Sequence, residues 1–248
     1  MSQIETKAIY KSYHSAGGML ALAGIDLKIS QGEFACLIGP SGCGKSTLLR
    51  ILGGLLPPTS GQVLIDGSSP AQAQVKKKIG VVFQDPALLP WRTAVANIRL
   101  PLEVNTSAKL AMDPVSLLNT VGMGRFQAYY PYQLSGGMQQ RVALARALVF
   151  DPPVLLMDEP FGALDEITRG AMRYELTRLW EQNRKTVLFV THSISEAITL
   201  GDRVLVMSPS PGVIKASVKI DLPRPRVEAM EFSSSFQNYH SRLKELLK

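Results

Sequence analysis

Residues 34–38 read FACLI, and the nine that follow, GPSGCGKST (39–47), run directly into the helical pattern TLLRILGGLL. An apolar strand, a glycine-rich loop and a helix in that order leave the chain little choice of fold. Gly39, Gly42 and Gly44 let the backbone curl until successive N–H groups point at one centre, the geometry that holds phosphate oxygens. The spacing G-x-x-x-x-G-K-[ST] makes this a phosphate-binding loop, with Pro40, Ser41, Cys43 and Thr47 completing the cradle. Lys45 supplies a point charge to the β- and γ-phosphates, and Ser46 offers a hydroxyl to Mg²⁺. At average residue frequencies the pattern arises by chance in about one chain in a hundred of this length. The correct flanking elements make coincidence rarer still.

The rest of the chain supports an α/β fold. Alternating stretches IETKAIYKSY and LAGIDLKIS, separated by a glycine turn, predict an N-terminal antiparallel β portion. GQVLIDG, KIGVVFQD, PVLLMDE, TVLFVTH and RVLVMS read as further strands, alternating with helices in the second half, which predicts a parallel core. Between about 88 and 150 the strand signal gives way to helical patterns punctuated by prolines, so a helical subdomain is expected there. An extension over about 209–248 holds the strand-like VIKASVKIDL, an extended PRPR and a short amphipathic helix. The whole of 1–248 is read as one domain.

Composition narrows the partners. A net charge of +7 favours acidic ones: nucleotides, nucleic acid or an anionic membrane surface. The basic residues are scattered, however, and the densest run, VKKKIG (75–80), reads as a solvated helix end, so no nucleic acid is expected. No run approaches the roughly eighteen apolar residues that span a bilayer, and the N-terminus lacks the apolar stretch of a signal peptide, so a soluble chain is expected. Cys36 in a strand and Cys43 in the glycine loop suggest reduced thiols rather than a disulfide framework.

PVLLMDEP reads as a buried strand delivering Asp158 and Glu159 to the edge where open α/β sheets place ligands. Asp158 is the candidate Mg²⁺ ligand. Glu159 could orient and deprotonate an attacking water, because phosphoryl transfer needs mainly positioning and electrostatics. His192 ends TVLFVTH and could reach a γ-phosphate as a donor. Gln84 closes IGVVFQ and could sense Mg²⁺ or the water. Farther along, LSGGMQQR (134–141) opens a helix with Val142, Ala145, Leu148 and Val149 on one face. Ser135, Gly136 and Gly137 at its start leave backbone N–H groups bare for an anion, a second cradle in the same chain.

With GPSGCGKST, VFQD, LSGGMQQR, LLMDEP, ALD and THS in this order, the chain resembles the ATP-binding subunits of ABC transporters from about residue 4 to 210. The resemblance implies a P-loop ATPase using ATP and Mg²⁺, with Tyr13 as the aromatic that stacks on adenine. It makes Gln84 the Q-loop glutamine, LSGGMQQR the signature, Ala163–Leu164–Asp165 the D-loop and His192 the switch histidine. It also implies two copies packed head to tail, Ser135, Gly136 and Gly137 of one closing on the γ-phosphate held by Lys45 of the other. Segment 85–103, DPALLPWRTAVANIRLPLE, would receive a helix of a separate membrane permease. Its cluster Leu88, Leu89, Pro90 and Trp91 fits a docking patch, and burial of Trp91 in the chain's own helical portion stays open beside it. LLPWRTAVANI and the late SPSPGVI…DLPRPR look most like the nitrate, sulfonate and taurine importer group, which has relatives importing thiamine-precursor pyrimidines. That places the chain at the cytoplasmic face of the cell membrane, in a system with a separate solute-binding protein. The alternative is a soluble ABC ATPase acting on ribosomes or DNA. Such proteins carry two cassettes or a long coiled-coil insertion, and neither occurs here. A metabolite kinase would have no use for LSGGMQQR, and an exporter half would bear fused membrane helices.

Overall fold

The computed structural model describes residues 4–13, 18–105, 112–162 and 164–248. Three strands, β1 (Ile4–Tyr13), β2 (Met19–Ile29) and β4 (Ser60–Ile65), form an antiparallel sheet with β1 in the middle. This is the N-terminal β portion expected from the alternating sequence. The second sheet has six strands: β3 (Phe34–Ile38), β5 (Ile79–Val82), β6 (Val154–Asp158), β7 (Thr186–Val190), β8 (Arg203–Met207) and β9 (Ile214–Lys219). They lie in the order β5-β6-β7-β3-β8-β9. All neighbours pair in parallel except β9, which returns antiparallel to β8.

Every residue of β3, β6 and β7 is buried. A strand covered on both faces needs apolar residues at both parities, so FACLI, VLLMD and TVLFV read as continuous runs rather than alternations. Phe34, Cys36 and Ile38 face one core with Leu155, Met157, Val187 and Phe189, against helices that include α5 (Gly136–Leu148) and α6 (Glu166–Asn183). Ala35, Leu37, Leu156 and Leu188 face the other, where α1 (Lys45–Leu52) lies between the large sheet and the antiparallel one. The chain is thus layered sheet–helix–sheet–helix, an α/β fold as expected.

The helical stretch contains α3 (Ala94–Glu103), α4 (Pro114–Thr120) and α5. Pro114 starts α4 behind the cap Asp113, whose carboxylate accepts the Ser116 N–H at 2.8 Å. Pro101, in contrast, sits inside α3 rather than ending it, and the Asn105 amide donates to its carbonyl at 2.7 Å. Of the VKKKIG run, Val75 and Lys76 at the end of α2 (Pro70–Val75) are exposed, as expected, whereas Lys77 and Lys78 are half-buried. Lys77 bonds Asn105 and lies 5.8 Å from the Phe150 ring, while Lys78 pairs with Asp66 at 2.6 Å. On the signature helix Val142, Ala145 and Val149 are buried and Leu148 is half-buried. Both cysteines are buried free thiols. Among the described residues no helix is long and apolar enough to cross a membrane.

Candidate functional site: a phosphate loop and four strand ends

Parallel pairing and the order β5-β6-β7-β3 bring four strand ends to one edge of the sheet. The loop after β3 begins at Gly39 and ends at Gly44, the cap of α1, where φ is 100° and no side chain caps the helix. A Cβ on Gly44 would stand 2.7 Å from Leu22 Cδ2 and 2.9 Å from the Ala21 carbonyl, so only glycine fits. Gly42 also holds a positive φ, of 77°, which glycine adopts without strain. Lys45, 6% exposed, donates from Nζ to the carbonyls of Gly39 at 2.8 Å and Pro40 at 2.9 Å, holding its charge across the loop. Cys43 Sγ lies 3.8 Å from the same ammonium.

Ser46 Oγ donates to Asp158 Oδ1 at 3.0 Å, although 112 residues separate them. Burial raises the Asp158 pKa above the ordinary carboxylate range, and the Ser46 hydrogen bond opposes that rise. A hydroxyl beside a carboxylate is a hard oxygen pair. Among the described residues no cluster of three or more His, Cys, Asp or Glu forms a metal cage. That donor set suits Mg²⁺, which takes one or two protein oxygens and completes its shell with water and phosphate.

Glu159 stands next in the chain in left-handed backbone, φ 42°. Non-glycine residues rarely adopt this geometry, and it is strained by about 1 kcal/mol or more. Its N–H donates to the Val190 carbonyl at 2.9 Å, which fixes the turn against β7. Glu159 Oε2 then lies 3.0 Å from His192 Nδ1, just past the end of β7. Gln84 follows β5. Tyr13 ends β1 with its hydroxyl 3.4 Å from Thr47 Oγ1 and with Lys11 Nζ 5.3 Å from its ring centre. Tyr13, Ser41, Gly42, Gly44, Lys45, Ser46, Thr47, Gln84 and Glu159 line one cavity of about 390 Å³.

Ser135, Gly136 and Gly137 do not line that cavity. Ser135 caps α5, accepting the Met138 N–H at 3.3 Å, and both Ser135 and Gly136 are exposed. Gly137 is buried for a different reason. A Cβ there would lie 3.0 Å from Thr168 Cγ2 and 3.2 Å from Leu164 Cδ2, so the missing side chain lets α5 approach the start of α6. Asp165 caps α6 by accepting the Thr168 N–H at 3.0 Å. Ala163, expected beside it, lies outside the described residues.

The structure gives a role to three residues to which the motifs assign none. Gln140 donates to the Phe83 carbonyl at 3.0 Å, and Arg146 donates to the carbonyls of Pro86 and Ala87. The signature helix therefore grips the loop bearing Gln84 on both sides. Asn97, fully buried in α3, donates to the carbonyls of Leu89, Arg92 and Thr93 and accepts the Leu89 N–H at 2.7 Å. That clamp shapes the turn carrying Trp91, which is 71% exposed. Leu88 is half-buried against the core, and the exposure of Trp91 excludes its burial in the chain's own helices. The one signal in the sequence is a polar side chain placed among apolar helical neighbours.

Comparison with known proteins follows the same lines. Residues 22–162 match the family model described as ABC transporter. The ABC transporter ATP-binding protein MJ0412 of Methanocaldococcus jannaschii is 47% identical over 230 residues, covering 92% of this chain and 84% of that protein. The aliphatic sulfonates import ATP-binding protein SsuB of Bacillus cereus is 44% identical over 223 residues, covering 90% and 86%. Among solved structures, the dimeric bacterial ABC transporter cassette MJ0796 superposes with a TM-score of 0.77 at 38% identity, covering 89% of this chain and all of that one. A dimeric post-hydrolysis state of MJ0796 bound to ADP and Pi superposes with a TM-score of 0.76 at 35% identity, again over 89% and 100%. A phosphate loop with an acidic strand end beside it on one α/β frame agrees with these likenesses, and this chain belongs to the ABC transporter ATPase family.

Proposed function

We propose that this ATPase powers a solute importer, acting as a head-to-tail dimer in which each ATP is held by the phosphate loop of one copy and the signature of the other. One observation carries the reading: the cavity that collects Lys45, Ser46 and Glu159 omits Ser135, Gly136 and Gly137, and of these Ser135 and Gly136 are exposed at the start of α5. An exposed anion site that its own chain does not use is complete only when a second copy supplies the phosphate. ATP then bridges the copies, and a ligand that binds only the closed pair shifts the population toward it.

Within each site the loop N–H groups and Lys45 bind the phosphates, and Tyr13 lies at the edge for the base. Ser46 and Asp158, with Gln84, would hold Mg²⁺, which supplies charge neutralisation to the phosphates. Glu159 would accept the proton of the attacking water, and the His192 ring, bonded to Glu159 Oε2, fixes that carboxylate and could donate to a bound γ-phosphate. The exposed Trp91, on a turn braced by Asn97, is the docking point for a permease within Asp85–Glu103. The whole of 1–248 acts as one peripheral ATPase domain on the cytoplasmic face, with a solute-binding protein completing the system. The likeness to SsuB favours an anionic solute such as a sulfonate.

The test is complementation. Lys45→Ala disables the phosphate loop and Ser135→Arg fills the signature cradle, so each homodimer lacks an intact site. A mixed dimer keeps one site built from the intact half of each chain, and mixing should restore part of the ATPase activity. No recovery, in a mixture shown by tagged pull-down to contain heterodimers, refutes the shared site, provided that a dimer with one intact and one disabled site turns over. Retained ATP binding by Ser135→Arg is the folding control.

A further inference from the structure

Glu196 is a carboxylate only 4% exposed, and it does not line the nucleotide cavity. A buried carboxylate is costly unless paired, so its partners indicate what it holds. It stands at the third position of α7 (Ile194–Leu200), whose cap is Ser193. A glutamate there ordinarily reaches back to the cap N–H. Here the Ser193 N–H donates to Thr191 Oγ1 at 3.0 Å, and the Thr191 hydroxyl donates onward to Glu196 Oε2. The reach-back is thus relayed through Thr191, and the turn 191–193 that carries His192 is held on both sides.

The other carboxylate oxygen, Oε1, lies 3.9 Å from Arg169 Nε, a buried nitrogen with no hydrogen-bond partner. The same guanidinium donates to the Leu164 carbonyl at 2.8 Å. Leu164 is five residues beyond Glu159, and Glu159 is bonded to His192. The contacts therefore close a ring: Glu159, the chain to Phe161, whose carbonyl accepts the Leu164 N–H at 3.1 Å, then Arg169, Glu196, Thr191, His192 and back to Glu159. Leu164 also makes the close approach that would meet a Cβ on Gly137. We infer that Arg169, Glu196 and Thr191 are positioning residues which set the separation of Glu159 and His192 and tie it to the Leu164 segment packed against the signature helix.

This inference rests on the reading of Glu159 and His192 as the hydrolytic pair, and the experiment separates the two. Glu196→Gln, Thr191→Val, Arg169→Gln and the double variant Arg169→Gln/Glu196→Gln are made in the full chain, with Glu159→Gln beside them. Each single variant of the ring should lower the kcat of ATP hydrolysis about tenfold or more, because small misplacements of reacting groups are expensive in rate. KM for ATP and nucleotide binding should stay within about twofold, since the phosphate loop is untouched. The double variant should lose little more than the worse single one, as expected for members of one network. A purely structural role would lower the melting temperature and leave kcat per folded molecule unchanged. Parental kcat in Glu196→Gln and Thr191→Val, with Glu159→Gln inactive, overturns the positioning inference. Parental kcat in Glu159→Gln overturns the hydrolytic reading instead. Thr191→Val preserves volume, so it answers the question even where Glu196→Gln fails to fold.

Discussion

Replacing Arg226 by Met tests whether the PRPR segment is a structural clasp. Arg226 is 5% exposed and donates to five carbonyls: Ile198 at 2.7 Å, Gly201 at 2.6 Å, Thr199 at 3.2 Å, Ile220 at 3.3 Å and Leu222 at 3.5 Å. The first three acceptors close the end of α7, where helical carbonyls lack partners and a cation is favoured. Arg224 stands beside it, 4.4 Å from the Trp180 ring centre and donating to the Leu200 carbonyl at 2.7 Å. Burial, and then the neighbouring Arg224 charge, pull the Arg226 pKa down to about 10, so the group is still charged at neutral pH. Arg226→Met keeps most of the apolar stem and removes every donor. Two of the five bonds are short, and a hydrogen bond to a charged group contributes about 1.5–3 kcal/mol. The cost of burying the charge offsets part of that, leaving an expected loss of about 3 kcal/mol, well above the roughly 1 kcal/mol of an ordinary substitution. For a chain of this size that lowers the melting temperature by about 6–12 °C. Urea unfolding followed by circular dichroism measures the difference. A loss under about 1 kcal/mol would refute the clasp, because water would then serve those carbonyls as well as Arg226 does.

Two further outcomes follow from exposed and close-packed positions. Trp91→Glu should leave folding and ATP binding unchanged, because the ring is 71% exposed, yet lower uptake by about tenfold or more in reconstituted transporter, since an unpaired charge would enter an apolar contact. Unchanged uptake removes Trp91 from the docking patch. Gly137→Ala should retain ATP binding at Lys45 while lowering ATPase activity, because the new methyl group must displace Thr168 and Leu164, now 3.0 Å and 3.2 Å from where its Cβ would sit. A fully active variant, measured by phosphate release, would show that the approach of α5 to α6 has slack.

Local sequence determined the parts that depend on backbone chemistry and burial. Gly42 and Gly44 hold positive φ of 77° and 100°, which glycine adopts without strain, so the phosphate loop is legible in the local spacing. Strands covered on both faces must be apolar throughout, so FACLI, VLLMD and TVLFV announce a parallel core and place Asp158 and His192 at its edge. Tertiary structure decided what depends on distant partners. Lys77 and Lys78 look like a solvated run until Asn105, Phe150 and Asp66 arrive from elsewhere in the chain. Trp91 could have been core or surface, and the clamp of Asn97 on residues 89–93 turns it outward. Gly137 reads as an anion cradle, yet its burial against Leu164 and Thr168 comes from helix packing that no local pattern encodes. Glu196 and Arg169 look like ordinary surface charges of two helices. Only when α6 and α7 meet do they join the Leu164 carbonyl to the turn of His192, because the energy of a buried charge is set by what surrounds it in space and not by its neighbours in sequence.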